Sequence, residues 1–327
     1  QFEKFLKLFH QMNKKNNKSK TNFLLIIGII LLTFLGIFTF NFTKRPKPIN
    51  AMLMLIEFER IDGILQWEKE LNKRDFTALI KAQGNIPKEY PDVFKRLADN
   101  GHEIAGGYDS EPFWNMSYDK QYKLMKESKD SIESITGKKM RVFGSRYFAY
   151  DETTLKVADT LGIEYILGRG TRDVEAVIYQ PKEYKAKIIS VTNVDVGEPM
   201  GRGSLCDYSL WARGADAKEF GKMVNESLAK KPVNMILVSH AYLGGTRLEW
   251  WKEYERVLSS SKLKWNSFDN WLNSQKTIIL PNKDIPLNTE VKYTSPKPAK
   301  PMEDYEPIPG IKDKAETKVE TDTLQCQ

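Results

Sequence analysis

The sequence predicts an α/β domain, a parallel sheet or barrel over residues 51–280, and two observations carry the prediction. Short apolar runs alternate with stretches of helical periodicity, and alternation of that kind marks βαβ units. Hydrophobic residues make up 41% of the 327 and charged residues 28%, enough apolar material for one domain of about 200–250 residues plus accessory segments.

The elements follow in chain order. Residues 1–22 form a basic segment. Phe23 to Phe42 is a run of 20 residues without a charge. At about 1.5 Å per residue it would cross roughly 30 Å of hydrocarbon, so a transmembrane helix is expected. Lys14, Lys15, Lys18 and Lys20 precede it and Lys44, Arg45 and Lys47 follow. The bias slightly favours a cytoplasmic N-terminus and an extracytoplasmic domain. A cleaved signal peptide fits less well, because the run exceeds an ordinary h-region and no small-x-small site follows. Residues 43–50 read as a linker.

Strands are expected at Met52–Phe58, Phe76–Lys81, His102–Ala105, Met140–Phe143, Glu164–Leu167, Lys187–Thr192 and Asn234–Ser239. Helices fall between them. One runs from Pro87 to Asn100 and stops at Gly101; a longer one, lined by Tyr118, Tyr122, Met125, Ile132 and Ile135, stops at Gly137. Asp151 caps a third. Asp216 with Glu219, and Thr246 with Glu249, have capping-box spacing ahead of two more. Residues 281–327, rich in proline and charge, read as a disordered tail.

Charge excludes one class of partner. Residues 1–47 carry nine Lys and Arg against Glu3, a balance of +8 in a chain of net charge +7, so the remainder is at −1. No folded basic patch follows, and nucleic acid is not an expected partner. Two cysteines, Cys206 and Cys326, cannot build a thiolate zinc site, and three histidines, His10, His102 and His240, force any metal to rely mostly on carboxylates.

In a parallel barrel the chemistry lies just after the strands. The residues there are Glu57, Glu59 and Asp62; Asp109 and Glu111; Arg146; Arg172 and Asp173; Asp195; and His240. Period-two alternation puts Glu57 and Glu59 on one face, aimed at the barrel mouth. His240 has a side chain suited to proton transfer near neutrality. Tyr108, Trp114, Tyr147, Tyr208 and Trp211 are candidate sugar-binding residues, since a sugar ring offers an apolar face beside hydroxyls. Trp251 and Cys206 read as core.

The segments "LADNGHEIAGGYDSEP" (97–112), "SIESITGKKMRVFGSRYFAYDETTLKVADTLGIEYIL" (131–167) and "MILVSH" (235–240) resemble the polysaccharide deacetylase, or NodB-homology, domain over most of residues 51–275. The resemblance implies a distorted (β/α)7 barrel that hydrolyses N- or O-acetyl groups of cell-envelope glycans with a divalent metal held by one Asp and two His. It places the catalytic base at Glu59 and the metal-binding Asp at Arg60. The two metal histidines fall on Gly107 and Glu111, the catalytic Arg on Arg146, an orienting Asp on Asp173, and the general acid on His240. Three of these positions depart from the pattern at the metal. Asp109 and Glu111, with Glu59 or Asp62, could instead form an oxygen-rich site, which favours loosely held manganese or magnesium over zinc. Two functions stay open: deacetylation of a polysaccharide or peptidoglycan-like glycan by a membrane-anchored enzyme, or binding of that glycan by an inactive barrel.

Overall fold

The structure is a computed structural model that describes residues 47–57, 60–197, 201–288 and 298–311; the apolar run 23–42, Glu59 and Cys326 lie outside the described residues. No helix among the described residues is long and apolar enough to cross a membrane. The chain divides into two compact units, and every element below belongs to the second, Pro48–Gln327.

The strands are β1 (Ile49–Glu57), β2 (Leu79–Gln83), β3 (Glu103–Tyr108), β4 (Val142–Ser145), β5 (Tyr165–Gly168), β6 (Val177–Pro181), β7 (Lys187–Ser190), β8 (Asn193–Asp195), β9 (Arg202–Ser204), β10 (Asn234–His240), β11 (Leu263–Trp265) and β12 (Thr277–Leu280). The main sheet runs β10-β1-β2-β3-β4-β5-β7-β6-β12, with β11 also on β1. Its pairs are parallel except β6 with β7, and β8 and β9 form a separate hairpin. The expected distorted (β/α)7 barrel is thus met as an α/β half-barrel, a curled sheet made mixed by the antiparallel β6–β7 pair. Short strands with no periodic signal of their own, β6, β8, β9, β11 and β12, escaped the sequence reading.

Alternation along the strands divides the core. Ala51, Leu53 and Leu55 of β1 pack outward against the helices, while Met52, Met54 and Ile56 face the interior with Leu79, Ala105, Val142, Leu167, Ile236 and Val238. Glu57 thus shares the helix-side row of Leu53 and Leu55. It is buried, and its Oε1 accepts the backbone N–H of Arg60 at 3.0 Å, so it does not point into the mouth as expected.

The helices that matter for the site begin where local chemistry favours them. Asp151 and Asp216 each form a reciprocal capping box, with Thr154 and Glu219. Ser117 caps the helix Tyr118–Thr136, which ends at Gly137 in the left-handed region (φ 68°). The expected Pro87–Asn100 helix is two pieces, Ile86–Glu89 and Pro91–Asp99, because Pro91 has no N–H to continue the first and suits the start of the second. No capping box forms at Thr246: Arg247 is the cap residue, and the Thr246 hydroxyl donates to Tyr242 O instead.

The C-terminal residues are not a free tail where they are described. Ile285, Tyr305 and Ile308 are buried, Leu248 N–H donates to Glu306 O at 2.8 Å, and Ile308 N–H donates to Thr246 O at 2.8 Å. The domain also begins inside the expected linker, at Ile49.

Candidate functional site

Register aligns the polar interior. Ile56 of β1 stands opposite Lys81 on one side and His240 on the other, so Lys81 and His240 occupy one level of the sheet, two strand spacings or about 10 Å apart. Gln83 is opposite Gly107, and Gly107 is opposite Gly144. Both Lys81 and Gln83 follow Leu79 on the inward row of β2.

Lys81 is 2% exposed. Its ammonium donates to Gln83 Oε1 at 2.7 Å and lies 3.6 Å from Asp109 Oδ1. Burial pushes its pKa down, and Asp109 restores only part of the shift. The stem needs glycine beside it: a Cβ at Gly107 would lie 2.9 Å from Lys81 Cε and 2.8 Å from Gln83 Oε1, and one at Gly144 would lie 3.3 Å from Lys81 Cε. The sequence reading placed Lys81 at the end of its strand and passed over it. The available signal was a single charge inside the run Ala78-Leu79-Ile80-Lys81-Ala82.

Among the described residues, the expected metal ligands Asp62, Asp109 and Glu111 do not converge. Asp109 is held by Lys81, whereas Glu111, about half exposed, pairs with Lys120. Asp62 pairs with Arg60 at 3.2 Å. The divalent metal that the resemblance implies finds no fit at these positions: Gly107 offers no ligand, the Lys81 side chain fills the space above it, and Arg60 brings a permanent positive charge.

Asp173 is corrected as the partner of His240. It sits on an exposed turn, bound to Arg202 and Lys230 at 2.8 Å each, which lower its pKa. Asp195 is exposed and near the same Arg202. The carboxylate beside His240 is Asp207, fully buried, which the sequence reading missed; its place, directly after Cys206 in a Gly-rich connection, was the only hint. Asp207 Oδ1 accepts the backbone N–H groups of Tyr208 at 2.6 Å and His240 at 2.8 Å, and Oδ2 accepts the Ser239 hydroxyl at 2.8 Å. Cys206 Sγ lies 3.1 Å from His240 Nδ1. Burial and Asp207 push the Cys206 thiol pKa well up, so the free thiol is neutral and a poor nucleophile.

The aromatic residues form two groups. Trp114 stacks on Tyr147 at 5.8 Å, and the Arg146 guanidinium lies over Tyr147 at 5.0 Å while donating to Ser110 O at 3.0 Å. Tyr208 lies 4.8 Å from the His240 ring and 5.4 Å from Trp211. Tyr108 leans on Phe113 at 5.9 Å and is part of the packing. Both indole N–H groups are already used: Trp114 donates to Asn288 O at 2.6 Å and Trp211 to Lys300 O at 2.8 Å.

The chain is thus a curled α/β sheet with a polar mouth at its carboxyl strand ends, a fold that known proteins share. Residues 66–166 match the family model of polysaccharide deacetylase. Its fold is that of a probable polysaccharide deacetylase from Pseudomonas aeruginosa PAO1 (15% identity, 71% of this chain and 94% of that chain, TM-score 0.55). The Puue allantoinase also shares it (14% identity, 71% and 94%, TM-score 0.54). So does a mutant of a CE4 family pseudoenzyme from Bacillus anthracis with restored enzymatic activity (15% identity, 71% and 70%, TM-score 0.51). No curated protein matches this sequence.

Proposed function

We propose that this protein is a membrane-anchored, polysaccharide deacetylase-like barrel that binds an acetylated, peptidoglycan-like envelope glycan without metal-dependent deacetylation. The observation that carries the reading is Lys81: its buried ammonium stands over Gly107, where the family resemblance puts a metal-binding histidine. The two aromatic groups, one beside Arg146 and one beside His240, supply apolar faces next to polar groups, as a sugar surface needs. The fold shared with a mutant of a CE4 family pseudoenzyme gives precedent for a barrel kept without its reaction. The uncharged run 23–42 supports an anchor.

Calorimetric titration with acetylated chito-oligosaccharides or peptidoglycan fragments tests the reading, together with acetate release with and without added zinc or manganese. Binding that Tyr208→Ala or Trp114→Ala weakens, with no acetate released, is the expected result. Metal-stimulated acetate release would overturn it. Hydrolysis through His240 is a second reading, favoured by the position of His240 at the end of β10 beside buried Asp207. It requires acetate release that His240→Ala lowers by roughly 10²–10⁴-fold.

A further inference from the structure

The geometry points to a transition-metal site at Cys206, Asp207 and His240, at a different place from the metal position that the family resemblance implies. Among the described residues this is the cluster of His, Cys, Asp and Glu whose ligand atoms converge, all within 4.8 Å of one another.

The distances come close to the coordination they would serve. Sγ to Nδ1 is 3.1 Å, Sγ to Asp207 Oδ1 is 3.4 Å, and Nδ1 to the same Oδ1 is 3.6 Å. Thiolate, imidazole and carboxylate at ordinary zinc bond lengths and tetrahedral angles stand about 3.4–3.6 Å apart; the two separations to Asp207 Oδ1 fall in that range, and the shorter Sγ–Nδ1 pair would open by a few tenths of an ångström on binding, leaving a fourth vertex for another ligand.

Charge supplies a second, independent argument. Asp207 is 0% exposed, and among the described residues no lysine or arginine pairs with it; His240 is its one ionisable partner of opposite sign. A fully buried carboxylate is costly without a cation, and a divalent ion between Asp207 and the thiol would provide one. The surrounding groups fix the ligand in place. Ser239 and two backbone N–H groups hold the carboxylate, as second-shell donors hold ligands in metal centres. Gly244 permits this approach, since a Cβ there would lie 2.3 Å from both Asp207 Oδ2 and Ser239 Oγ. One sulfur, one imidazole nitrogen and one carboxylate oxygen form a mixed donor set that suits zinc or cobalt rather than magnesium or calcium. On binding, the Cys206 S–H bond breaks, its proton leaves to buffer, and the sulfur lone pair becomes the metal bond.

Titrating the full chain with cobalt(II) tests the site directly. One cobalt per chain, with a thiolate-to-cobalt charge-transfer band and the visible bands of a tetrahedral ion, is expected, and zinc should displace it with loss of colour. The charge-transfer band should disappear in Cys206→Ser and persist in Cys326→Ser. Ser239→Ala should weaken affinity by about 10–100-fold, as loss of a second-shell donor does. Zinc should also raise the melting temperature of the wild type but not of Cys206→Ser, a readout that does not depend on glycan binding or acetate release. Absence of the bands in the wild type, or a band that Cys326→Ser removes and Cys206→Ser leaves, would overturn the assignment.

Discussion

Lys81 Nζ lies 3.6 Å from Asp109 Oδ1 inside the mouth of the sheet, and the pair is unequal: the lysine is fully buried while the aspartate is partly exposed. Water therefore stabilises one charge and not the other. Desolvation outweighs the attraction of Asp109, leaving the Lys81 pKa below its usual value. The ammonium is held in place by Gln83 and by the room that Gly107 and Gly144 leave for its stem.

That fit predicts coupling between Gly107 and Lys81. Gly107→Ala should cost about 1–3 kcal/mol by overpacking against Lys81 and Gln83. In a Lys81→Ala background the cost should shrink, giving an interaction energy of about 0.5–3 kcal/mol in urea unfolding of the four variants. Strict additivity would show that the lysine stem is not what Gly107 accommodates.

The lowered pKa of Lys81 also sets a sign in alkali. Between its folded value and the ordinary 10.5, the unfolded chain binds more protons than the folded one. Stability should therefore rise with pH through that window relative to Lys81→Met, as the buried ammonium becomes a neutral amine. Identical pH dependence of the two proteins in denaturant titrations would contradict the burial of a charged amine.

His102 predicts the behaviour in acid. It is buried, its Nδ1 accepts the Ala78 N–H at 3.1 Å, and burial lowers its pKa from 6.5 to about 4. The unfolded chain binds the proton first, so stability is lost as pH falls from 6.5 toward 4. The loss attributable to this group is on the order of 3 kcal/mol. His102→Gln should flatten that part of the stability–pH curve.

Asn288 ties the C-terminal segment to the site. Its Nδ2 donates to the carbonyls of Tyr147 and Phe148 at 2.9 Å each, and both residues sit in the left-handed region (φ 59° and 53°), where non-glycine residues are strained. Asn288→Ala should destabilise the domain by about 1–3 kcal/mol, read in thermal or urea unfolding. It should also weaken any glycan binding that depends on the Trp114–Tyr147 stack. Unchanged stability would mean that the Tyr147–Phe148 turn holds without it.

Topology is tested on cells. If residues 23–42 anchor the chain with its domain outside, protease added to right-side-out vesicles should remove the domain. Complete protection against an active protease would place the domain on the cytoplasmic side and remove the envelope glycan from consideration.

The sequence by itself determined what depends on neighbours a few residues apart. The βα alternation, the cap at Asp151, the capping box at Asp216 and the helix stop at Gly137 were legible because each arises from interactions within one or two turns of chain. The place of His240 at the end of an apolar strand was legible too. Tertiary structure alone decided the partners. Asp207 rather than Asp173 reaches His240 across 33 residues, because β9 and β10 bring Cys206 beside Val238. Lys81 reaches over Gly107 because the register of β2 on β3 sets it opposite Ala105, two residues before that glycine and on the same face, and no pattern within β2 says which way its strand curls. The segment around Asn288 and Lys300 reads as tail for the same reason: proline and charge describe its own chain, whereas its hydrogen bonds are made to Trp114, Tyr147 and Trp211, 89–174 residues away.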